Sequence, residues 1–359
     1  MNKKKPLDWG AISLDSLFTF ERGKEKNMAA LSEGSIPLVS ARKVNNGVKG
    51  FVSNPIKIIV GGQSITLNND GDGGAGLAYY QPMDFALDTH VTALHPKMDQ
   101  ISPYALLYIT ASISKQHAIF GHGRSISLSR AMRIRDMLPV CKKGNPDFAY
   151  MTEYTKQKQI SLISRYKSYC VNQLSRIEYK RIPLLSDKEW KSFSLDEIFV
   201  VKPGKRLETR NKINGKRPFI GASDNGNGIT GFVGNDNVSK DKRVLGVNYN
   251  GAPCIAFYHP YECVFSDDVK RLHFKNRADN KFMYLFFVAI FAQQKTKFSY
   301  GYKFNEQRML RQKLMVPVKG DGEPDYEYME QYAKNMMLKK YKQYLSFLER
   351  KEQKQQLYL

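Results

Sequence analysis

The chain has 359 residues, with 56 Lys and Arg against 34 Asp and Glu, a net charge of +22. Hydrophobic residues at 42% and aromatics at 12% supply a core, which excludes a wholly disordered chain, and the length suits two domains of ordinary size or one unusually large one. A basic excess this large points to a polyanionic partner, nucleic acid first among them.

In chain order, the basic start Met1–Gly10 has no apolar stretch behind it, so no secretory signal is expected. From there to about residue 140, short runs rich in Val, Ile, Phe and Tyr are broken by Gly, Asn and Asp, as at Gly50–Ser53 and Ser64–Leu67. Such punctuation predicts strands and turns. One helix-like apolar segment, Pro103–Ser114, interrupts them. From Asp147 to about Tyr179 there is no interior Gly or Pro, and a Pro-Asp pair opens a long predicted helix that Pro183 ends.

At Trp190 the pattern restarts. Trp9-x4-Leu14-Asp15-x2-Phe18-x4-Gly23-Lys24 recurs 181 residues later as Trp190-x4-Leu195-Asp196-x2-Phe199-x4-Gly204-Lys205. The register holds through Pro37/Pro218, Asn46-Gly47/Asn227-Gly228 and Gly50-Phe51-Val52/Gly231-Phe232-Val233. Roughly one position in three is identical, far above the ~6% of average residue usage. After a length change it resumes with Tyr80/Tyr258, Leu94-His95/Leu272-His273, Arg130/Arg308 and Met137-x-Pro139-Val140/Met315-x-Pro317-Val318. The second copy repeats the elements: strands at Arg243–Val247 and Cys254–Tyr258, an apolar helix near Lys281–Phe291, and a long helix from Asp325 to about Leu357. Within the apolar helix, Met283–Ala292 is about half the ~20 residues that a membrane span needs and reads as buried core.

The fold class is therefore α+β: two tandem, similar mixed units, each followed by a long helix, in a pseudo-two-fold internal repeat. Each helix carries an apolar stripe at helical period, Met151, Tyr154, Tyr166, Cys170 and Leu174 in the first and Tyr332, Met336, Tyr341, Leu345 and Leu348 in the second. About 33 residues make a rod of about 50 Å, too long for one small unit to cover, so the helices are expected to pair as an antiparallel coiled coil. Two basic modules on a fixed spacer suit two short DNA half-sites around an unread gap of about 5–8 base pairs.

The W-x4-L-D-x2-F-x4-G-K motif, the N-G-x2-G-F-V motif and the Gly123–Val140 and Gly301–Val318 stretches resemble the target-recognition domains of restriction–modification specificity subunits, over essentially the whole chain. The compact length and short helices look closer to type IIB than to type I systems. The resemblance implies target-recognition domains at 1–146 and 183–324 and spacer helices at 147–182 and 325–359. It further implies a non-catalytic, cytoplasmic subunit that binds double-stranded DNA and recruits methyltransferase or fused methyltransferase–nuclease subunits, two copies per chain, docked on the paired helices, whose stripe residues would serve partner binding as well as packing. Catalysis would lie in those partners, as would the cofactors: none in this chain, S-adenosylmethionine and Mg in the partners.

Base reading uses Arg or Lys for guanine and Asn or Gln for adenine, and phosphate contacts use Lys, Arg and backbone N–H groups. On the Gly- and Asn-rich loops these types give Lys24, Arg42, Lys43, Asn45, Lys49, Arg124, Ser125 and Arg130 in the first unit. In the second they give Lys205, Ser223, Asp224, Asn225, Tyr249, Asn250, Tyr302, Lys303, Asn305 and Arg308. Asn-Gly pairs also serve as plain hairpin turns. Arg130 and Arg308 recur, which suits a phosphate contact or a structural ion pair. The loops Ser40–Lys43 and Gly221–Asp224 differ between the copies, so the half-sites are expected to differ.

Trp9, Trp190, Phe18 and Phe199 read as core, and His95 and His273 as strand-edge histidines. Cys141, Cys170, Cys254 and Cys263 form no CxxC pair and read as reduced thiols, with no zinc site. No catalytic site is expected: the cofactor loop and Asn/Asp-Pro-Pro-aromatic motif of an amino-methyltransferase are missing. Asp267-Asp268-x-Lys270 mimics a metal nuclease, but its copy is Thr89-His90-x-Thr92. The alternative is a basic RNA-binding or ribosome-associated repeat scaffold, although no aromatic stacking run supports it.

Overall fold

A computed structural model describes residues 7–26, 30–59, 62–70, 74–98, 101–120, 124–297 and 306–356. The chain divides into two compact units, Met1–Tyr166 and Lys167–Leu359, and the division falls inside a long helix.

The first unit opens with β1 (Asp8–Ser13), one turn of helix α1 (Leu14–Leu17) and β2 (Phe18–Arg22). Next come β3 (Glu33–Val39), β4 (Val48–Val52), β5 (Ile58–Ile59) and β6 (Ser64–Asn68). β7 (Ala78–Gln81), β8 (Phe85–Leu87) and β9 (Val91–Pro96) lead to α2 (Pro103–Lys115), α3 (Leu128–Arg133) and β10 (Arg135–Val140), and α4 (Phe148–Arg176) follows. An antiparallel sheet of order β2-β9-β6-β7 packs beside one of order β4-β3-β8-β5, in which β3 and β8 run parallel. Among the described residues β1 pairs only with β10.

The second unit repeats this plan with β11 (Trp190–Ser194), α5 (Leu195–Ile198), β12 (Phe199–Pro203), β13 (Asn214–Ile220) and β14 (Ile229–Val233). It continues through β15 (Val244–Asn248), β16 (Ala256–His259), β17 (Val264–Phe265), β18 (Val269–Phe274) and α6 (Lys281–Gln293). It ends with α7 (Glu306–Leu310), β19 (Lys313–Pro317) and α8 (Tyr326–Gln356). Its sheets have orders β12-β18-β15-β16, β14-β13-β17 and β11-β19, the same connectivity without a described counterpart of β5.

The short helices start where their caps dictate. The Ser102 hydroxyl accepts from the Ala105 N–H at 3.1 Å ahead of Pro103, and the Asn280 side chain accepts from Phe282 and Met283. As expected for the apolar run, α6 buries Met283, Tyr284, Phe286, Phe287, Ile290 and Phe291 against β12, β15 and β18. No described helix is long and apolar enough to cross a membrane. All four cysteines are free. Burial pushes the thiols of Cys254 and Cys263 up to about 12.

Three expectations need correction. Phe18 and Phe199 are core, but Trp9 is 51% exposed, because the two-stranded β1–β10 ladder has an uncovered face; Trp190 is half-buried on Phe286. His95 and His273 lie on the interior strands β9 and β18, not at sheet edges. His95 faces Glu21 at 3.5 Å, and His273 lies between Asp241 at 2.9 Å and Asp279 at 2.7 Å. The helix stripes are not one continuous seam. Met151 belongs to the first unit's core and Tyr154 meets Tyr108 of α2 edge-on, while Tyr332 meets Phe286 of α6 in the same way. The opening turns of both long helices thus dock on their own units, and Tyr166 is exposed.

Pairing between the helices occupies the remainder. Within the second unit, Cys170, Leu174 and Ile177 pack on Leu338, Tyr341, Tyr344 and Leu345. Lys167 reaches Glu352 at 3.7 Å, and Asn335 and Gln331 donate to the carbonyls of Lys180 and Glu178. Rising numbers on α4 meet falling numbers on α8, so the contact is antiparallel. Leu348 is buried, and Met336 is half-buried beside the seam.

One buried histidine gives this fold a pH dependence. Burial pushes His259 down to about 4, below the ~6.5 of an unfolded chain. The unfolded state therefore binds the extra proton, and the stability His259 contributes is present above pH ~6.5 and lost as pH falls toward ~4. His273 is shifted the opposite way: its hydrogen bond to Asp241, helped by Asp279 and opposed by burial, raises its pKa. Its contribution is complete below ~6.5 and lost only as pH rises above that, so the two windows do not overlap. Urea unfolding from pH 7 to 4 should show a loss of up to about 3 kcal/mol that His259→Gln, copying Gln81 at the matching position, removes. Equal pH slopes for the two proteins would contradict this account.

Candidate nucleic-acid interface

Antiparallel order brings the ends of β2 and β6 and the start of β9 to one edge of the first unit, and the parallel pair β3 and β8 ends there too. The second unit does the same with β12, β15, β18, β13 and β17. Four loops meet at each edge. Their sequences differ, but their backbone anchors recur.

The first anchor is a close approach. A Cβ on Gly23 would lie 2.0 Å from the Asp88 carbonyl oxygen, and one on Gly204 would lie 1.9 Å from that of Ser266, so each position admits only glycine. The next residues, Lys24 and Lys205, donate their N–H groups to Leu87 and Phe265 at 3.0 and 2.9 Å and are exposed.

The second anchor is an amide. Asn68, fully buried at the end of β6, donates from Nδ2 to the Arg42 carbonyl at 3.0 Å. Asn248, buried at the end of β15, donates in the same way to the Ser223 carbonyl at 2.9 Å. The loops then turn through Asn46-Gly47 and Asn227-Gly228, all four with positive φ. A Cβ on either glycine would come within 3.3 Å of the Tyr79 or Phe257 ring.

On this frame Arg42 is half-buried and Lys43, Asn45 and Lys49 are exposed. In the second unit Ser223 is half-buried, Asp224 and Asn225 are exposed, and the Asn225 amide donates to Asp224 at 3.1 Å. A third segment joins each edge. The Ile126 N–H donates to the Asn69 carbonyl at 2.6 Å, which sets the exposed Arg124 and Ser125 beside the β6–β7 loop. The Arg130 guanidinium donates to the Ser125 carbonyl at 2.9 Å, a structural role. In the second unit Tyr249 is half-buried with the Lys270 ammonium 4.8 Å from its ring centre, and the exposed Asn250 donates to Asp268 at 2.9 Å. Arg308 is exposed on α7, and Tyr302, Lys303 and Asn305 lie outside the described residues.

Candidates spread from residue 24 to 130 and from 205 to 250 thus share one edge in each unit. Sequence reasoning missed Asn68 and Asn248, which recur inside the stretch where the copies change length and the ungapped match breaks. The nuclease-like Asp267-Asp268-x-Lys270 dissolves: Asp268 holds Asn250, and Lys270 is buried over Tyr249. Among the described residues no group of three His, Cys, Asp or Glu side chains is placed to hold a metal ion.

Comparison with known proteins fits this duplicated geometry. The family model for the Type I restriction modification DNA specificity domain matches residues 6–165 and again residues 187–345. The chain belongs to this family. The specificity subunit S.BcgI of a type II restriction enzyme from Heyndrickxia coagulans is 37% identical over 334 residues, 92% of this chain and 95% of that protein. Among solved structures, the type I S subunit from M. genitalium aligns over 97% of this chain and 95% of its own, at 16% identity and a TM-score of 0.44. The HsdS subunit from Thermoanaerobacter tengcongensis aligns over 97% and 93%, at 11% identity and a TM-score of 0.32.

In this specificity subunit the buried asparagines set loop order. Asn68→Ala removes one of the two side-chain donors to the Arg42 carbonyl and leaves the Tyr79 hydroxyl at 3.0 Å, an expected loss of about 1 kcal/mol, and should speed amide exchange in residues 40–47 while leaving 221–228 unchanged. Asn248→Ala should do the reverse. Hydrogen exchange read by mass spectrometry checks both, and unaltered exchange in either variant would show that the anchor is dispensable.

Proposed function

We propose that this subunit is the non-catalytic DNA reader of a restriction–modification complex. Residues 1–146 and 183–324 each read one short half-site, and the helices at 147–182 and 325–359 set a gap of about 5–8 base pairs. The observation that carries this reading is the pair of edges with matching anchors and unlike side chains, Arg42-Lys43 at one and Ser223-Asp224 at the other. Matching anchors hold two loops in one conformation, and unlike side chains then address different bases, so the target is bipartite and asymmetric. Lys24 and Lys205 suit phosphates, with the +22 charge strengthening every backbone contact.

The same reading makes double-stranded DNA and methyltransferase or methyltransferase–nuclease subunits the partners, two copies per chain, in the cytoplasm. S-adenosylmethionine and Mg belong to the chemistry of those partners. The identity to S.BcgI, named as a type II restriction enzyme subunit, supports a system of that kind.

Selection from random duplex DNA, with the chain copurified with its methyltransferase at near-physiological salt, should return two unlike blocks around a fixed unread gap. Arg42→Ala should alter one block and leave the other intact. Salt-sensitive binding with no consensus, or a preference for single-stranded RNA, would overturn the proposal.

A further inference from the structure

Each unit contains the same apolar cleft. In the first it lies between Trp9, Tyr108 of α2, Met137 of β10 and Tyr154 of α4, with a volume of about 700 Å³. In the second it lies between Trp190, Phe286 of α6, Met315 of β19 and Tyr332 of α8, with a volume of about 690 Å³. Position for position the walls correspond. The tyrosine meets its aromatic neighbour edge-on, with ring centroids 5.6 Å apart in both units.

Three of the four wall residues are identical in the two copies, although much of their surface is open. Trp9 is 51% exposed, Met137 52% and Met315 47%. Core packing gives no reason to keep a methionine half in water, and the loops at the sheet edges have diverged. A methionine held half-exposed at the matching position of both units, between the same tryptophan and tyrosine, indicates one occupant type, used twice.

The rims fix its charge. Exposed Lys115, Arg135 and Lys158 border the first cleft and exposed Lys340 the second, and Lys313 stands at the position matching Arg135. An apolar slot with cations and no exposed carboxylate at its rim is complementary to an acidic amphipathic helix that inserts one large apolar side chain. The buried Asp136 that lines the first cleft has Leu314 as its counterpart in the second unit, so the shared walls carry the recognition.

We propose that these two clefts are the docking pockets for the methyltransferase subunits, one per unit, each taking an acidic, apolar-tipped segment of the partner. This rests on the recruiting role proposed above and makes the two-copy stoichiometry a consequence of the duplication.

The chain's two tryptophans both line these clefts, so they report on the clefts and nothing else. With the full chain labelled with 5-fluorotryptophan, ¹⁹F spectra give two resonances, assigned through Trp9→Phe. Adding the unlabelled methyltransferase subunit of the same system should move both and saturate at two per chain, while duplex DNA alone moves neither. Met137→Glu should weaken the step reported by Trp9 by about tenfold and leave the Trp190 step unchanged; Met315→Glu should do the converse. Two sharp, dispersed resonances in each variant before addition establish that it is folded.

A complex that forms by mass while both resonances stay still overturns the cleft assignment alone. No complex at all overturns the recruiting reading and the cleft assignment together. Shifts that follow the chain's own concentration assign the clefts to a second copy and overturn the proposal.

Discussion

The arrangement of each reading edge rests on a loop carbonyl held by a buried asparagine side chain, in the first unit together with the Tyr79 hydroxyl. Asn68 and Asn248 recognise only backbone, so the bond is blind to whether the residue above it is Arg42 or Ser223. An amide buried without its partner would cost about 1–3 kcal/mol, enough to hold the loop near one conformation whatever its side chains. The glycine contacts at Gly23 and Gly204 act in the same way, since they restrict backbone separation and leave the following lysine side chain outside. A scaffold made of such contacts can keep its shape while its surface changes.

Three acidic side chains in the second unit, Asp241, Asp268 and Asp279, serve that scaffold. Burial alone would raise the Asp241 carboxyl, but the hydrogen bond and charge of His273, with Arg271 at 3.0 Å, hold it below the usual carboxylate range. Asp279 accepts from Tyr284 and His273, and Asp268 from Asn250. Exposed pairs such as Lys167–Glu352 contribute at most about 1 kcal/mol. The surplus of cations is therefore no stability device. A charge of +22 opposes compactness through self-repulsion, and a bound polyanion relieves that repulsion.

The duplication, the long helices and the buried α6 were legible in the sequence because each rests on a period or an identity. What the period could not supply was the identity of the neighbour. Tyr154 and Tyr332 keep helical spacing with the seam residues, yet each meets its own unit's short helix, a choice made by three-dimensional docking. Trp9 resembled core because tryptophan usually is, but a ladder of two strands has only one covered side. His273 has one partner, Asp241, 32 residues away, which no local spacing reveals, and a second, Asp279, six residues on, which reaches it only across the turn after β18. Of the candidate edge, the residue types were readable, since Gly- and Asn-rich loops advertise themselves. The anchors beneath were not, because Asn68 looks like any strand-end polar residue until its amide is traced to Arg42.

The two copies have also diverged inside, and there the changes are coupled. In the first unit the buried Gln81 amide donates to the Thr66 hydroxyl at 3.0 Å and to the Asn46 carbonyl at 3.0 Å, which ties the central sheet to the turn of the reading loop. In the second unit these positions are His259 and Gly246, and a Cβ on Gly246 would lie 2.8 Å from the imidazole. The ring fills the volume that threonine vacates, and the turn finds a new partner in Tyr261, whose hydroxyl accepts from Asn227 at 2.7 Å. Neither half of that exchange works alone: threonine beside the histidine clashes, and glycine beside the glutamine leaves an amide short of a partner. A symmetric dimer of identical chains would have to make every such change twice, and would read one sequence in both halves. Fusing the copies into one chain lets each unit repack its core and replace its loops independently, while the anchors keep both edges in the same form.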